Sequence, residues 1–460
     1  MGALPSIEVA AVLCRELLRA LAAPLHVLAF LPRRTSYLAE SCAALDRSAT
    51  AEVRDDARQR FVAAHAGRCR RIFVSCGETS GETHLLHLID AVRTGCSDEG
   101  RDQPTWIGFG GQRLARAGVD SRFPLAEHAV MGLGGVLRSI PLIVRAFATF
   151  LHVLRAERPD LVVLVDYPGL HLVFAEAARR RGIPVVHYVA PQYWAWGPWR
   201  MRRYRRAVDA TLTILPFEPA FFGDRELASG YVGHPLLDEL ASHPPSEASL
   251  AAVRARPTLV LMPGSRRKEI ALHLAPMVAL ATALQRDRTD LRVVIPHRDP
   301  GRAALIRTRL AELPDGERVE VQEGDPGPWL RGARAVLAKS GTGSLEACLH
   351  GTPTVVVYVL SGRFARFVRH RLLTVPWFAA ANLCAGKCIV PEFAVERPGD
   401  WDAVARAVAA LEADGEARGA CLENLDALRV RLGPAGASAR AATWIVPLCP
   451  THGSHPPTSP

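Results

Sequence analysis

The chain has 460 residues, 49% of them hydrophobic and 22% charged, with a formal net charge of +10 and a pI near 9.4. That length exceeds one ordinary domain, and that composition excludes a disordered or fibrous chain. The positive balance points to anionic partners (nucleic acid, phosphorylated substrates or an acidic membrane face), although only three lysines (Lys268, Lys339, Lys387) stand among the 56 basic residues, a skew typical of GC-rich genomes. Residues 1–70 read as a helix-prone, Ala/Leu/Arg-rich extension without a chemical motif: an added helical layer, a surface anchor or, in part, a product of start-site choice. A bilayer span needs about 20 uninterrupted apolar residues. The best stretches, Leu17–Leu31 and Ile140–Leu154, are broken by Arg19, Pro24 and Arg145. Glu8, Arg15 and Glu16 also argue against a secretory signal, so the expectation is a chain that is soluble or sits on a membrane without crossing it. The ten cysteines show no metal-ligand spacing and read as reduced thiols, Cys384 and Cys388 included.

From Arg71 the pattern changes to strands alternating with helices. Arg71–Cys76 is an apolar strand ending in Gly-Glu-Thr-Ser-Gly; Trp106–Phe109 ends in Gly110-Gly111; Leu161–Val165 ends at Asp166; Val185–Val189 and Ala210–Leu215 follow. The same alternation returns in the second half. There Leu259–Met262 leads into Pro-Gly-Ser-Arg-Arg, Leu291–Ile295 follows, Ala335–Ala338 leads into Ser-Gly-Thr-Gly-Ser, and Thr354–Val359 is the last buried strand. Such alternation predicts an α/β fold of two doubly wound, parallel-sheet domains with ligands at the carboxyl ends of the strands, in a central cleft. The predicted boundaries are an extension at 1–70, an N-terminal doubly wound domain at 71–240 and a C-terminal doubly wound domain at 241–445 whose last helices can pack back on the first. A Pro/Ser/His-rich disordered tail is predicted at 446–460.

Several turns carry chemistry. Asp166 ends a buried strand, where a carboxylate can take a proton from a hydroxyl or cap the next helix; Glu78 and Glu82 share that ambiguity. At Pro263-Gly-Ser-Arg-Arg-Lys-Glu269, Ser265, Arg266 and Arg267 suit a diphosphate, because cations at a positive helix end call for an anion. Ser340-Gly341-Thr342 opens another helix, where N–H groups suit phosphate oxygens and Glu346 could hold ribose hydroxyls, or where Ser and Thr simply cap the helix. His187 reads as a satisfied core histidine. Trp194, Trp196 and Trp199, beside Arg200, Arg202, Arg203, Arg205 and Arg206, read either as a packed loop with a solvated basic helix or as a lip for something both greasy and anionic; Arg363–Arg371 reads as a second interfacial patch or an ordinary amphipathic surface helix. No Gly-x-Gly-x-x-Gly or Walker sequence and no recognisable nucleic-acid module occurs.

In order, Gly77-Glu-Thr-Ser-Gly81, Gly108-Phe-Gly-Gly111, Ala129-Val-Met-Gly-Leu133, Asp166-Tyr-Pro168, Trp194-Ala-Trp196, Leu215-Pro-Phe-Glu218, Val232-Gly-His-Pro235, Pro263-Gly-Ser-Arg-Arg267, Ser340-Gly-Thr342 with Leu345-Glu346, Asn382 and Val390-Pro-Glu392 resemble the lipid-A-disaccharide synthase family. The resemblance runs from about residue 71 to 395, and more weakly to 445. It implies GT-B architecture and an inverting hexosyltransferase. Such an enzyme joins UDP-2,3-diacylglucosamine to 2,3-diacylglucosamine 1-phosphate through a β-1,6 bond and releases UDP at the cytoplasmic face of the inner membrane. It further implies Asp166 as base with Glu78 beside it, and UDP held by Ser265, Arg266, Arg267, Ser340, Gly341, Thr342, Glu346 and Asn382. Ser80, Met131, Trp194, Trp196, Arg202 and Arg203 fall on the acceptor or membrane side, with no metal or other cofactor and the homodimer question open. Departures occur at Glu82, at Gln192-Tyr193 and at Ala380-Ala381 before Asn382. The alternatives are another GT-B transferase acting on a lipid-linked acceptor, or a catalytically silent lipid- or nucleotide-binding relative.

Overall fold

The computed structural model of the protein describes residues 6–47, 55–128 and 133–452. The chain divides into two units, 1–238 with 435–460, and 239–434.

In the first unit, seven parallel strands are β1 (Arg71–Cys76), β2 (Thr105–Phe109), β3 (Asp120–Phe123), β4 (Leu161–Val165), β5 (Val185–Tyr188), β6 (Ala210–Thr213) and β7 (Ala228–Tyr231). They lie in the order β3-β2-β1-β4-β5-β6-β7. Every residue of β4 is buried, as expected of a central parallel strand covered on both faces. One face packs Phe73, Phe109, Phe150 and Phe174, with the last two rings stacked at 4.2 Å. The other packs Ile72 and Val74 against Leu85, Leu88, Trp444, Ile445 and Val446.

That second face corrects the tail reading. Val446–Leu448 forms a buried 3-10 turn and Cys449 is fully buried, so the chain is ordered core here. Residues 453–460 lie outside the described residues. The return is anchored by Asp238, whose carboxylate accepts from the N–H groups of Gly436 (2.6 Å), Ala437 (3.0 Å) and Ser438 (3.1 Å), capping the helix Ala437–Ala442. Gly230 is required opposite: a Cβ there would sit 2.5 Å from the Trp444 ring.

The extension forms α1 (Ser6–Phe30), α2 (Arg34–Asp46) and α3 (Asp55–His65). Glu8 accepts from Arg181 (2.8 Å) and Arg155 (2.6 Å), Arg203 bridges Glu16 (2.7 Å) and Glu176 (2.6 Å), and Ser41 Oγ donates to the Trp194 carbonyl at 3.1 Å. Further helices of this unit are α4 (Thr79–Asp98), α5 (Gln112–Arg116), α6 (Leu133–Ala156), α7 (Pro168–Arg179) and α8 (Met201–Ala207).

The second unit holds β8 (Thr258–Met262), β9 (Arg292–His297), β10 (Val319–Glu323), β11 (Ala335–Lys339), β12 (Thr354–Val359) and β13 (Glu392–Val395), ordered β10-β9-β8-β11-β12-β13. Both sheets therefore carry the 3-2-1-4-5-6 order of a dinucleotide-binding fold. In each, the strand order reverses beside the first strand, between β1 and β4 and between β8 and β11.

Candidate functional site

Those two reversals are where the chemistry-bearing turns lie. In the first unit, β1 delivers Gly77-Glu78 and β4 delivers Asp166-Tyr167. Asp166 and Tyr167 both take left-handed backbone, with φ of +52° each. Two consecutive non-glycine residues in that region are costly and persist only when surroundings impose them. Here the restraint is visible. The Asp166 carbonyl accepts from His171 Nδ1 (2.7 Å) and His187 Nε2 (3.0 Å), and its N–H donates to the Tyr188 carbonyl at 3.0 Å. A carbonyl only accepts, so His171 carries its proton on Nδ1 and accepts a hydrogen bond from the Ser75 hydroxyl on Nε2, at 2.9 Å. Burial pushes His171 down to about 3 and His187 down to about 4, so both rings are neutral at ordinary pH.

Gly77 accommodates the turn. A Cβ there would lie 2.3 Å from the Tyr167 ring. Glu78 is half-buried at the N-cap of α4; burial first, and then its charge, raise the Tyr167 phenol. Ser80 is exposed. Glu82 turns the other way: buried, it accepts from the N–H groups of Gly111 (2.9 Å) and Leu114 (3.2 Å) at the start of α5. The longer acid at this position thus fastens a neighbouring turn.

In the second unit, Gly264 has φ +114° and the carboxylate of Glu269 curls under the following turn. It accepts from Ser265 N (3.2 Å), Arg266 N (3.4 Å), Arg266 Nη1 (3.2 Å) and Lys339 Nζ (2.9 Å). Burial alone would raise Glu269, but Lys339 and Arg266 outweigh it and hold the carboxyl below its ordinary range. Ser265, Arg266 and Arg267 stay exposed around this fixed loop. Beside it, Ser340 Oγ donates to the Phe378 carbonyl (3.1 Å), and exposed Gly341 and Thr342 open the helix Thr342–Leu349. Glu346, 7% exposed, is raised to about 7 by burial despite an Arg298 guanidinium at 2.9 Å. Among the described residues no group of three or more His, Cys, Asp or Glu is placed to hold a metal ion.

The family model described as "Lipid-A-disaccharide synthetase" matches residues 72–418, which span both sets of turns. The chain belongs to this family. A lipid-A-disaccharide synthase of Syntrophotalea carbinolica is 35% identical over 385 residues, covering 83% of this chain and 96% of that protein. One of Myxococcus xanthus is 35% identical over 389 residues, covering 83% and 98%. Among solved structures, a co-structure of S. aureus MnaA with UDP has a TM-score of 0.52 at 14% identity, covering 81% of this chain and 94% of that one, a likeness of fold alone. The protein is a glycosyltransferase of lipid A biosynthesis with GT-B architecture.

Against the family motifs, three sequence assignments change. Trp194 is buried rather than interfacial: its Nε1 donates to Glu218 Oε1 at 3.0 Å, while Glu218 Oε2 accepts from Ile214 N and Leu215 N. The Leu-Pro-Phe-Glu motif is thus a bracket for Trp194, and burial raises Glu218 to about 7. Trp199 packs on Phe30 at 5.1 Å and is half-buried, and Trp196, 43% exposed under Arg200, is the most open ring of the three. Arg202 is exposed, whereas Arg203 is taken up by Glu16 and Glu176. Asn382, fully buried, spends its amide on the Val390 carbonyl (3.0 Å), Glu392 (3.1 Å) and the N–H groups of Ile389 (2.8 Å) and Val390 (3.0 Å). It therefore shapes the segment beside Ser340 and has no hydrogen-bonding group to spare for UDP. Met131 lies outside the described residues.

Sequence reasoning misses His171, Glu269 and Arg298. Only Lys339, one of three lysines and adjacent to Ser340, offers a signal toward Glu269.

Proposed function

We propose that the chain joins UDP-2,3-diacylglucosamine to 2,3-diacylglucosamine 1-phosphate, forming the β-1,6 disaccharide 1-phosphate with inversion and releasing UDP. The family match over residues 72–418 carries this reading. Asp166 takes the proton of the attacking primary hydroxyl, and Glu78 stands as the second carboxylate on the same sheet end. On the second unit the exposed Ser265-Arg266-Arg267 turn and the helix start at Gly341-Thr342 neutralise the departing diphosphate, and Glu346 accepts from the ribose. Positive charge from arginines and N–H groups makes a metal unnecessary in this reading. Work at the cytoplasmic face of the inner membrane follows from diacylated substrates, and among the described residues no helix is long and apolar enough to cross a membrane.

The test is UDP release from the two lipid substrates without added metal. Asp166→Asn is expected to cut turnover by roughly 100-fold or more while UDP affinity stays near that of the parent. Asparagine tolerates left-handed backbone, so the turn survives the change. Unchanged turnover would move the base role to Glu78, with Glu78→Gln the deciding variant. UDP bound without any turnover would identify a silent relative.

A further inference from the structure

The helix α1 is amphipathic in the wrong sense for a packed surface helix. Its four Asp, Glu, Lys or Arg side chains, Glu8, Arg15, Glu16 and Arg19, all make ion pairs in the first unit, reaching Arg155, Arg181, Glu176 and Arg203. Its outward face is apolar: Leu17, Leu18, Leu21, Leu25 and Leu28 are 61% to 68% exposed, and Ile7 is 85% exposed. A soluble helix ordinarily presents the opposite arrangement. An apolar sector along 25 residues, roughly 37 Å at about 1.5 Å per residue, calls for an apolar partner.

The surroundings say which partner. A groove of about 560 Å³ runs beside α1, lined by Arg15, Arg19, Arg180, Arg202, Arg206 and Trp199. Glu176 is the one acid among its lining residues. Cations and an indole beside an apolar helical face match the layering of an anionic bilayer surface, phosphates above acyl chains. A second copy of the chain fits less well. Leu18, Leu21, Leu25 and Leu28 have heptad spacing, but Leu17, Ala22 and Pro24, at the flanking e and g positions, are apolar where a coiled coil carries charges. Two such arginine grooves would also face each other.

We propose that α1, which precedes the segment matched by the family, is an in-plane membrane anchor: its leucine face enters the acyl boundary of an anionic bilayer and the arginine groove takes the lipid phosphates. The inference rests on the membrane-side reading above for its biological setting, and not on the sugar chemistry. The full chain should co-float with vesicles of phosphatidylglycerol and phosphatidylethanolamine, and far less with phosphatidylcholine alone. The exposed-face variant Leu18→Gln/Leu21→Gln/Leu25→Gln should lose roughly tenfold or more in vesicle affinity, and Arg180→Glu/Arg206→Glu should lose preference for the anionic vesicles. The leucine variant should keep the parent's unfolding midpoint and its UDP release from detergent-dispersed substrates. Equal vesicle binding by parent and leucine variant would overturn the proposal. So would a parent dimer that the leucine changes dissociate with vesicle binding intact, which would assign the face to a second copy. Vesicle binding through α1 without UDP release would instead defeat the proposed reaction and leave the anchor standing.

Discussion

At the scale of single residues, the Asp166 turn is held by side chains that sequence reading treats as filler. His187 is legible as a satisfied core histidine because it sits on an apolar strand. His171 is not, because nothing along the chain shows that a helical histidine five residues on will reach back to the same carbonyl. Replacing either imidazole by an apolar side chain (His171→Leu or His187→Phe) should lower turnover about tenfold or more by loosening the carboxylate's position. UDP affinity, which the proposed function assigns to the second unit, should hold; equilibrium binding beside initial rates separates the two. Glu346 gives a pH signature. Its folded value of about 7 stands above the 4.5 of an ordinary glutamate, so the folded state holds the proton more tightly. The stability linked to that proton is fully present below 4.5 and is lost as pH rises through about 7. Urea midpoints for parent and Glu346→Gln should therefore diverge between about pH 5 and pH 8, with the parent falling more; parallel curves would place the carboxylate in a less buried state. The motif at Asn382 suggests a nucleotide ligand, and only the tertiary structure reveals that its amide is already consumed.

Among the elements, the central strands are readable and the edges are not. Arg71–Cys76, Leu161–Val165 and Thr354–Val359 match their sequence bounds, since strands covered on both faces must be continuous apolar runs. The four strands that the apolar pattern does not announce, β3, β7, β10 and β13, are the four sheet edges. Asp120-Ser-Arg-Phe and Val319-Glu-Val-Gln-Glu are short and polar because one side meets solvent, and such edges also resist pairing with other chains. The positions of the loops are legible for the same reason as the central strands: small residues punctuate each buried run. What fixes the loops is not, and Gly77 illustrates it. Gly77→Ala places a methyl group against the Tyr167 ring, which must shift and carry Asp166 with it. Turnover is expected to drop by roughly tenfold or more with UDP binding unaltered; a normal rate would mean that the ring moves without its backbone.

For the molecule as a whole, the first unit is made from two stretches of chain separated by the entire second unit. Ending the chain after Pro434 would strip Trp444, Ile445, Val446 and Leu448 from one face of the first sheet. At about 1.5–3 kcal/mol for each large buried side chain, the loss is on the order of 6 kcal/mol or more, comparable with a whole domain's margin. That truncation should yield a first unit that is insoluble or melts far earlier; calorimetry beside the full chain would show it. The same arrangement sets an order of events during synthesis. Residues 239–434 contain every strand of the second sheet and can close as soon as they leave the ribosome. The first sheet, though made earlier, waits with one face only partly covered by α4 until its last helix and turn arrive, so chaperone demand should peak on the half that is translated first.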